Sequence, residues 1–180
     1  MNNRTPVAGF SRGTLVLMLS ILASAGCSQN PKQATHSEAR RAAWVDEARL
    51  ANADVEPHNW YATDRASSED HYSPLNQINQ DNIASLGFAW QYDTHTTRGL
   101  QASPLVIDGV MYASGNWGVV YALDARSGRS LWVYNPGVNG EWARRACCDI
   151  VNRGVAAWKG RIYVASLDGH LIALDAATGK

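Results

Sequence analysis

The sequence predicts an all-β protein, an incomplete β-propeller that follows a signal peptide and a short helical or irregular segment. The content of 15 Gly, 7 Trp and 7 Tyr among 180 residues favours short strands and tight turns over a helical bundle. The stretch Gly109–Gly128 also matches Gly160–Gly179 at an offset of 51 residues, and both copies contain Ala-Leu-Asp-Ala. A period of about 50 residues is the length of a four-stranded propeller blade.

Residues 1–27 are predicted to be a signal peptide. Arg4 and Arg12 supply a positive start, and Thr14–Ala25 supplies twelve uncharged residues, too few to span a bilayer. Cys27 follows small residues and resembles the lipidated cysteine of a bacterial lipoprotein, with ordinary cleavage after Ala25 as the alternative. Both versions predict export to the periplasm, and lipidation of Cys27 would add attachment to the membrane.

Residues 28–57 are predicted to be an N-terminal linker and a helix. The helix is expected over Ser37–Ala53, where alanines are interspersed with charged residues, and Pro57 should stop it. Residues 58–180 are predicted to be the first blades of the propeller. Within them, His58–Asn82 is polar and rich in turn residues, so we expect an ordered wrapping segment with little regular structure.

Short apolar runs separated by turn residues predict the strands of two blades. Asp108-Gly109 and Lys159-Gly160 each separate two such runs by two residues, which is typical of a β-hairpin. The predicted strands are Leu105–Ile107, Val110–Ala113, Val119–Leu123, Leu131–Tyr134, Ala157–Trp158 and Arg161–Tyr163, with Phe88–Trp90 as the closing strand of another copy.

The pattern Ala122-x-Asp124-x-x-x-Gly128-x-x-x-Trp132 resembles the tryptophan-docking repeat of quinoprotein propellers. Asp can cap its own turn, Gly allows a positive φ, and Trp offers a flat surface to the next blade. The chain holds roughly two blades, whereas a closed ring needs about four or more. Lys180 also stands three residues before the expected second docking Trp, so we expect a fragment of a longer propeller.

Cys147 and Cys148 are adjacent in an exported chain that has three cysteines in all. Their Cα atoms should lie about 3.8 Å apart across a trans peptide, below the usual disulfide range of about 4.4–6.8 Å. A bond between them would close a strained ring, and an oxidising compartment favours its formation. Two free buried thiols are the alternative.

The run Gly140–Gly154, which contains Ala-Cys-Cys-Asp-Ile-Val-Asn-Arg-Gly, resembles the cofactor segment of pyrroloquinoline-quinone (PQQ) dependent alcohol dehydrogenases of the methanol/ethanol type. The similarity continues through Asp46–Leu50, Asn59-Trp60, Tyr72–Leu75 and Gln77–Asn79. It implies that the complete protein is an eight-bladed quinoprotein propeller.

The same resemblance implies roles for individual residues. A Cys147–Cys148 disulfide would lie against one face of PQQ, Arg153 would bind the cofactor, and Val151 would pack against it. Gln101 stands where the family usually has Glu, which contacts the periphery of the quinone. Because Gln lacks the charge and adds two donors, we expect weaker or altered PQQ binding at this position.

The resemblance further implies oxidation of primary alcohols to aldehydes by hydride transfer to PQQ. A bound Ca²⁺ or lanthanide would act as Lewis acid, and a cytochrome c would accept the electrons. The catalytic base and the metal ligands are expected beyond Lys180, so no residue of this chain is assigned to either role.

Two other functions remain open at this point. The leader and the docking repeat also fit a lipid-anchored propeller scaffold that binds no quinone, and the missing blades fit an inactive truncated remnant. Nucleic acid is not an expected partner, because 16 basic and 16 acidic residues leave no net positive charge.

Overall fold

The computed structural model describes residues 42–68 and 70–180, which form two antiparallel sheets and an irregular N-terminal stretch. The signal peptide, Cys27 and the first part of the predicted helix lie outside the described residues. Within the described part, no helix is long and apolar enough to cross a membrane.

The first sheet has four strands in sequential order and the second has three. The strands are β1 (Leu105–Ile107), β2 (Val110–Ser114), β3 (Val120–Asp124) and β4 (Ser130–Tyr134), followed by β5 (Ala156–Trp158), β6 (Arg161–Ala165) and β7 (Leu171–Asp175). Strands β1 to β5 each begin and end within one residue of a predicted strand, and the two predicted hairpins are confirmed. Strand β6 extends two residues beyond the predicted Arg161–Tyr163, and β7, which was not predicted, lies where the repeat of 51 residues places the copy of β3.

The first hairpin of each sheet turns through two residues with positive φ. Asp108 and Gly109 have φ of 52° and 81°, and Lys159 and Gly160 have φ of 45° and 81°. This is the backbone that a two-residue type I′ turn requires, and it matches the twist of the flanking strands. Alternate side chains of the strands then point into one core, which includes Leu105, Ile107, Tyr112, Val120, Ile162, Val164 and Leu174.

The turn before each docking glycine has the same side-chain cap in both sheets. Asp124 Oδ1 accepts hydrogen bonds from the backbone N–H of Ser127 (2.8 Å) and from its hydroxyl (2.8 Å). Asp175 Oδ1 accepts the corresponding bonds from Thr178 at 3.0 and 2.9 Å. The predicted capping role of the repeated Asp is confirmed.

Two tryptophans connect successive repeats through these turns. Trp90 Nε1 donates to the carbonyl oxygen of Ala125 (3.1 Å), and Trp132 Nε1 donates to that of Ala176 (3.0 Å). A Cβ on Gly128 would lie 2.5 Å from the Trp90 ring, and one on Gly179 would lie 2.7 Å from the Trp132 ring. The predicted docking of Trp132 on the following repeat is therefore confirmed, and Trp90 docks in the same way.

The predicted helix is much shorter than expected. Helix α1 covers Glu47–Ala51 and begins after Asp46, whose side chain caps it, so the prediction was wrong for residues 42–46 and 52–53. Residues 42–46 instead run along the turn of the second sheet, where the carbonyl oxygens of Ala43 and Val45 accept backbone hydrogen bonds. Both residues are buried, because tertiary packing there outweighs helix propensity.

Other irregular segments follow the expectation, with one exception. Residues 58–68 and 70–82 contain only isolated bridges, turns and irregular backbone, as predicted. Phe88–Trp90 was predicted to be a strand, but it has no strand partner among the described residues and is not a strand. The remaining short elements are 3₁₀ helices at Ala53–Val55, Ile83–Ser85, Asn116–Gly118 and Gly140–Arg145.

Candidate functional site

Cys147 and Cys148 lie in the loop that connects the two sheets, directly after the 3₁₀ helix Gly140–Arg145. Both side chains are exposed, and the structure has them as two thiols with Sγ atoms 2.6 Å apart. The predicted disulfide therefore stays a prediction. The alternative of two buried thiols does not fit, because exposure leaves both sulfurs open to a ligand.

The backbone after the cysteines is fastened to two neighbouring loops. The carbonyl oxygen of Ile150 accepts a hydrogen bond from Trp117 N–H (2.9 Å) in the β2–β3 connection. Gly154 forms an isolated parallel bridge with Ser103, just before β1. The Ile150 side chain is buried, so it anchors a segment whose neighbours face solvent.

A salt bridge joins the cysteine loop to the segment that carries Gln101. Arg98 Nη1 lies 2.6 Å from Asp149 Oδ1, and both side chains are about half exposed. Gln101 is itself exposed and stands in the sequence between Arg98, which forms this salt bridge, and Ser103, which forms the bridge with Gly154. The two loops that sequence analysis singled out separately are thus brought together at the same edge of the sheets.

Asn152 makes the densest set of contacts in the loop. Its Oδ1 accepts hydrogen bonds from the Ser114 hydroxyl (2.6 Å) and from Gly154 N–H (3.1 Å), and its Nδ2 donates to the Ala165 carbonyl oxygen (2.8 Å). Ser114 ends β2 and Ala165 ends β6. One side chain therefore ties the loop to both sheets.

Arg153 is exposed and has no carboxylate partner within residues 42–68 and 70–180. Its charge nevertheless reaches the cysteines. The hydrogen bond and charge interaction with Cys147 raise the pKa of the Cys148 thiol, and the Arg153 guanidinium opposes that rise. Val151, the remaining predicted contact, is half-buried beside them.

Residues that sequence analysis missed are the ones that hold the site together, namely Arg98, Ser103, Ser114, Asp149 and Asn152. One signal pointed to Ser114, because the repeat has Ala165 in its place 51 residues later. A polar residue that breaks an apolar repeat at a strand end indicates a side-chain partner nearby. The partners of the other four depend on loop packing, which no local pattern encodes.

The residues in this region can hold an anion and a flat ring. In the part of the chain that the structure describes, no three His, Cys, Asp or Glu side chains are close enough to bind a metal ion. The exposed thiol pair and the guanidinium of Arg153, which has no carboxylate partner among the described residues, do fit a planar ligand that carries carboxylates, since guanidinium pairs with carboxylate through two parallel hydrogen bonds.

Residues 60–180 match the family described as PQQ: glucose/ethanol/alcohol dehydrogenase, β-propeller domain. The quinohemoprotein alcohol dehydrogenase ADH-IIG of Pseudomonas putida is 54% identical over 136 residues, which are 76% of this chain and 19% of that protein. The 1-butanol dehydrogenase (cytochrome c) of Thauera butanivorans is 56% identical over 61% of this chain and 16% of its own length. The chain thus spans about a fifth of the relatives it matches.

Solved structures give the same result. The structure of ADH-IIG superposes with a TM-score of 0.76 over 78% of this chain and 20% of that protein. A europium-containing methanol dehydrogenase is 40% identical, with a TM-score of 0.68 over 74% of this chain and 24% of its own. These matches confirm the incomplete propeller predicted from the repeat, as well as the resemblance drawn from the cysteine segment.

Proposed function

Because the chain belongs to the β-propeller family of PQQ-dependent glucose, ethanol and alcohol dehydrogenases, we propose that it works as the N-terminal part of a periplasmic enzyme that oxidises primary alcohols to aldehydes. One observation carries the proposal. The exposed Cys147-Cys148 pair and the exposed Arg153 lie in one loop, which the Arg98–Asp149 salt bridge and the Ser103–Gly154 bridge join to the segment that holds Gln101.

In this proposal the chain supplies one side of the cofactor site. Cys147 and Cys148 form a disulfide whose sulfurs make a flat, polarisable surface under the PQQ ring. Arg153 pairs with a carboxylate of PQQ, since an exposed guanidinium without a protein partner is free to bind an anion. Val151 packs at the edge of the ring, and Gln101 contacts its periphery as a neutral amide.

PQQ, when bound, supplies the acceptor for the hydride of the alcohol. The residues of this chain bind and orient the cofactor, and they cover one of its faces from water. None of the described Asp, Glu or His residues is assigned as the base. Ca²⁺ or a lanthanide would be held by residues elsewhere in the complete protein, and the europium-containing relative supports a metal of this class.

The proposed partners follow from the relatives and the sequence. A small alcohol is the substrate, and a cytochrome c is the electron acceptor, in line with the printed name of the Thauera butanivorans enzyme. Export through residues 1–27 places the protein in the periplasm, and a lipid on Cys27 would attach it to the membrane. Trypsin treatment of intact spheroplasts, followed by detection of this chain, tests the location.

The proposal is tested by titrating the metal-loaded complete apoprotein with PQQ and following the quenching of tryptophan fluorescence. Saturable binding and PQQ-dependent oxidation of a primary alcohol are expected. Absence of both would favour a quinone-free scaffold or an inactive remnant. The disulfide is tested separately by alkylating the unreduced protein: its mass should show neither Cys147 nor Cys148 labelled, whereas label on both thiols would refute the bridge.

Gln101 gives a second test within the same assay. We expect the Gln101→Glu variant to bind PQQ more tightly than the unsubstituted protein, by about threefold to tenfold. The reason is that a charged carboxylate accepts a stronger hydrogen bond than an amide oxygen from a donor at the periphery of the quinone, and it has no N–H group that could face that donor. Equal PQQ affinity of the two proteins would show that the amide does not alter the site.

A further inference from the structure

The contacts of Asn152 fix the orientation of its side-chain amide without ambiguity. The Ala165 carbonyl oxygen can only accept a hydrogen bond, so Nδ2 must face it at 2.8 Å. Gly154 N–H can only donate, so Oδ1 must face it at 3.1 Å. The Ser114 hydroxyl, on a residue with 2% of its surface exposed, then donates to the same Oδ1.

The two anchors of this amide occupy equivalent places in the fold. Ser114 and Ala165 are the last residues of β2 and β6, and they are 51 residues apart, which is the period of the repeat. Asn152 therefore bridges corresponding strand ends of two successive sheets. A shift of one sheet relative to the other would break at least one of its hydrogen bonds.

Arg153 lies between two fixed points of this arrangement. Before it in the sequence is Asn152, whose side-chain Oδ1 accepts a hydrogen bond from Gly154 N–H and so closes a turn that contains Arg153. On the other side is Gly154, bridged to Ser103. Gly154 has φ of 145° and a Cβ there would lie 3.4 Å from the Ser103 carbonyl oxygen, so the backbone fits closely at that point.

We propose that Asn152 is a positioning residue, which holds the Arg153 guanidinium at the place where a carboxylate of PQQ binds, with Ser114 as its support. This inference rests on the proposed function. A long exposed side chain such as that of Arg153 loses conformational entropy when it binds an anion. If its backbone is already held in place, only the side chain has to be ordered, so the entropic cost of binding is smaller. Asn suits the position because a single side chain must both accept two hydrogen bonds and donate one.

The test is a double-mutant cycle in the complete protein, with the dissociation constant of PQQ measured by fluorescence quenching. We expect Asn152→Ala to weaken PQQ binding about tenfold when Arg153 is present, and by less than about twofold in the Arg153→Ala background. A residue that acts through Arg153 loses its effect when Arg153 is gone. Equal factors in the two backgrounds, or no effect in the first, would overturn the positioning role.

Asn79→Ala is the matched control, because Asn79 Oδ1 closes the same kind of turn on Asp81 N–H (3.0 Å) in a loop without a site residue. Its PQQ affinity should stay within about twofold of the unsubstituted protein. If Asn152→Ala does not fold, the cycle is run with Ser114→Ala, which should weaken binding about threefold with Arg153 present and not without it.

The outcomes separate this inference from the proposed function. An unsubstituted protein that binds no PQQ would overturn both. A protein that binds PQQ, but in which the effects of Asn152→Ala and Arg153→Ala simply multiply, would overturn the positioning role alone.

Discussion

Arg49 shows how one side chain can fasten the N-terminal segment to the first sheet. Its guanidinium donates to both carboxylate oxygens of Asp108 (3.0 and 2.7 Å), to Glu56 and to the Trp44 carbonyl oxygen (2.8 Å). Only 9% of the side chain is exposed. The hydrogen bonds to Asp108 raise the pKa of Arg49 further, so its charge is permanent. The side chain thus holds the turn between β1 and β2 against α1.

We expect Arg49→Ala to lower the free energy of unfolding by about 2 kcal/mol, because the partly buried carboxylates of Asp108 and Glu56 would lose the charge that compensates them. Arg49→Lys should lower the free energy of unfolding by less, since lysine keeps the positive charge and loses only the paired hydrogen bonds of the planar guanidinium. Arg144, which is 79% exposed and 3.8 Å from Glu141, is the control: Arg144→Ala should change stability by less than about 0.5 kcal/mol. Urea unfolding measures all three, and equal losses for Arg49→Ala and Arg144→Ala would contradict the expectation.

Asp124 gives a prediction for acid stability. The hydrogen bonds from Ser127 hold the pKa of Asp124 below its usual range in the folded chain. The unfolded chain then binds the proton more tightly, so this stabilisation is present above the ordinary pKa of about 3.9 and is lost as the pH falls through the lower folded value. Thermal unfolding of Asp124→Asn should accordingly depend less on pH between about 5 and 2 than that of the unsubstituted chain. The pH dependence of Ser127→Ala should lie between those of the unsubstituted chain and Asp124→Asn. If all three proteins have the same pH profile, the Asp124 cap does not contribute to acid sensitivity.

At the scale of the element, the contact between repeats depends on a glycine under a tryptophan ring. Gly128 has φ of 71° and leaves no room for a Cβ beside Trp90, whereas Gly137 has φ of 67° and open space. At both positions the positive φ disfavours a residue with a Cβ. Only at Gly128 would that Cβ also clash with the Trp90 ring.

We therefore expect Gly137→Ala to cost about 1 kcal/mol of stability and Gly128→Ala about 3 kcal/mol or more. The difference between the two variants, measured by urea unfolding, isolates the docking contact from the strain of the left-handed backbone. Equal losses would mean that the Trp90 ring moves aside without cost. Fluorescence of Trp90, compared with a Trp90→Phe variant, would show whether it does.

At the scale of the whole molecule, a run of large apolar side chains between residues 72 and 88, before the first sheet, is exposed to solvent. Tyr72, Leu75, Ile78, Ile83, Leu86 and Phe88 are all exposed, the last by 87%. Large apolar side chains that are exposed together mark surfaces that bind another protein or another part of the same protein. Since 136 residues are 76% of this chain and 19% of ADH-IIG, that relative is about four times as long, which makes its further blades the natural cover.

The 180-residue chain produced by itself should therefore self-associate, and sedimentation velocity should show species larger than the 19.6 kDa monomer. Replacing Leu86 and Phe88 by Ser should shift the population toward the monomer. Val55→Ser is the control, because Val55 is 78% exposed but lies outside the run. If the unsubstituted chain is monomeric, these exposed apolar side chains do not have to be buried against another copy or another part of the protein.

The sequence alone was sufficient for the strands, the hairpin turns and the docking contact, because each depends on residues within one repeat of 51. It also pointed to Cys147, Cys148 and Arg153, since they are close along the chain. It misjudged the helix, because burial of Ala43 and Val45 against the second sheet outweighed local propensity, and Phe88–Trp90, because a strand needs a partner. The meeting of Arg98 with Asp149 and of Asn152 with Ser114 and Ala165 was decided only by tertiary structure, since loops distant in sequence come together only where the packed sheets place their ends.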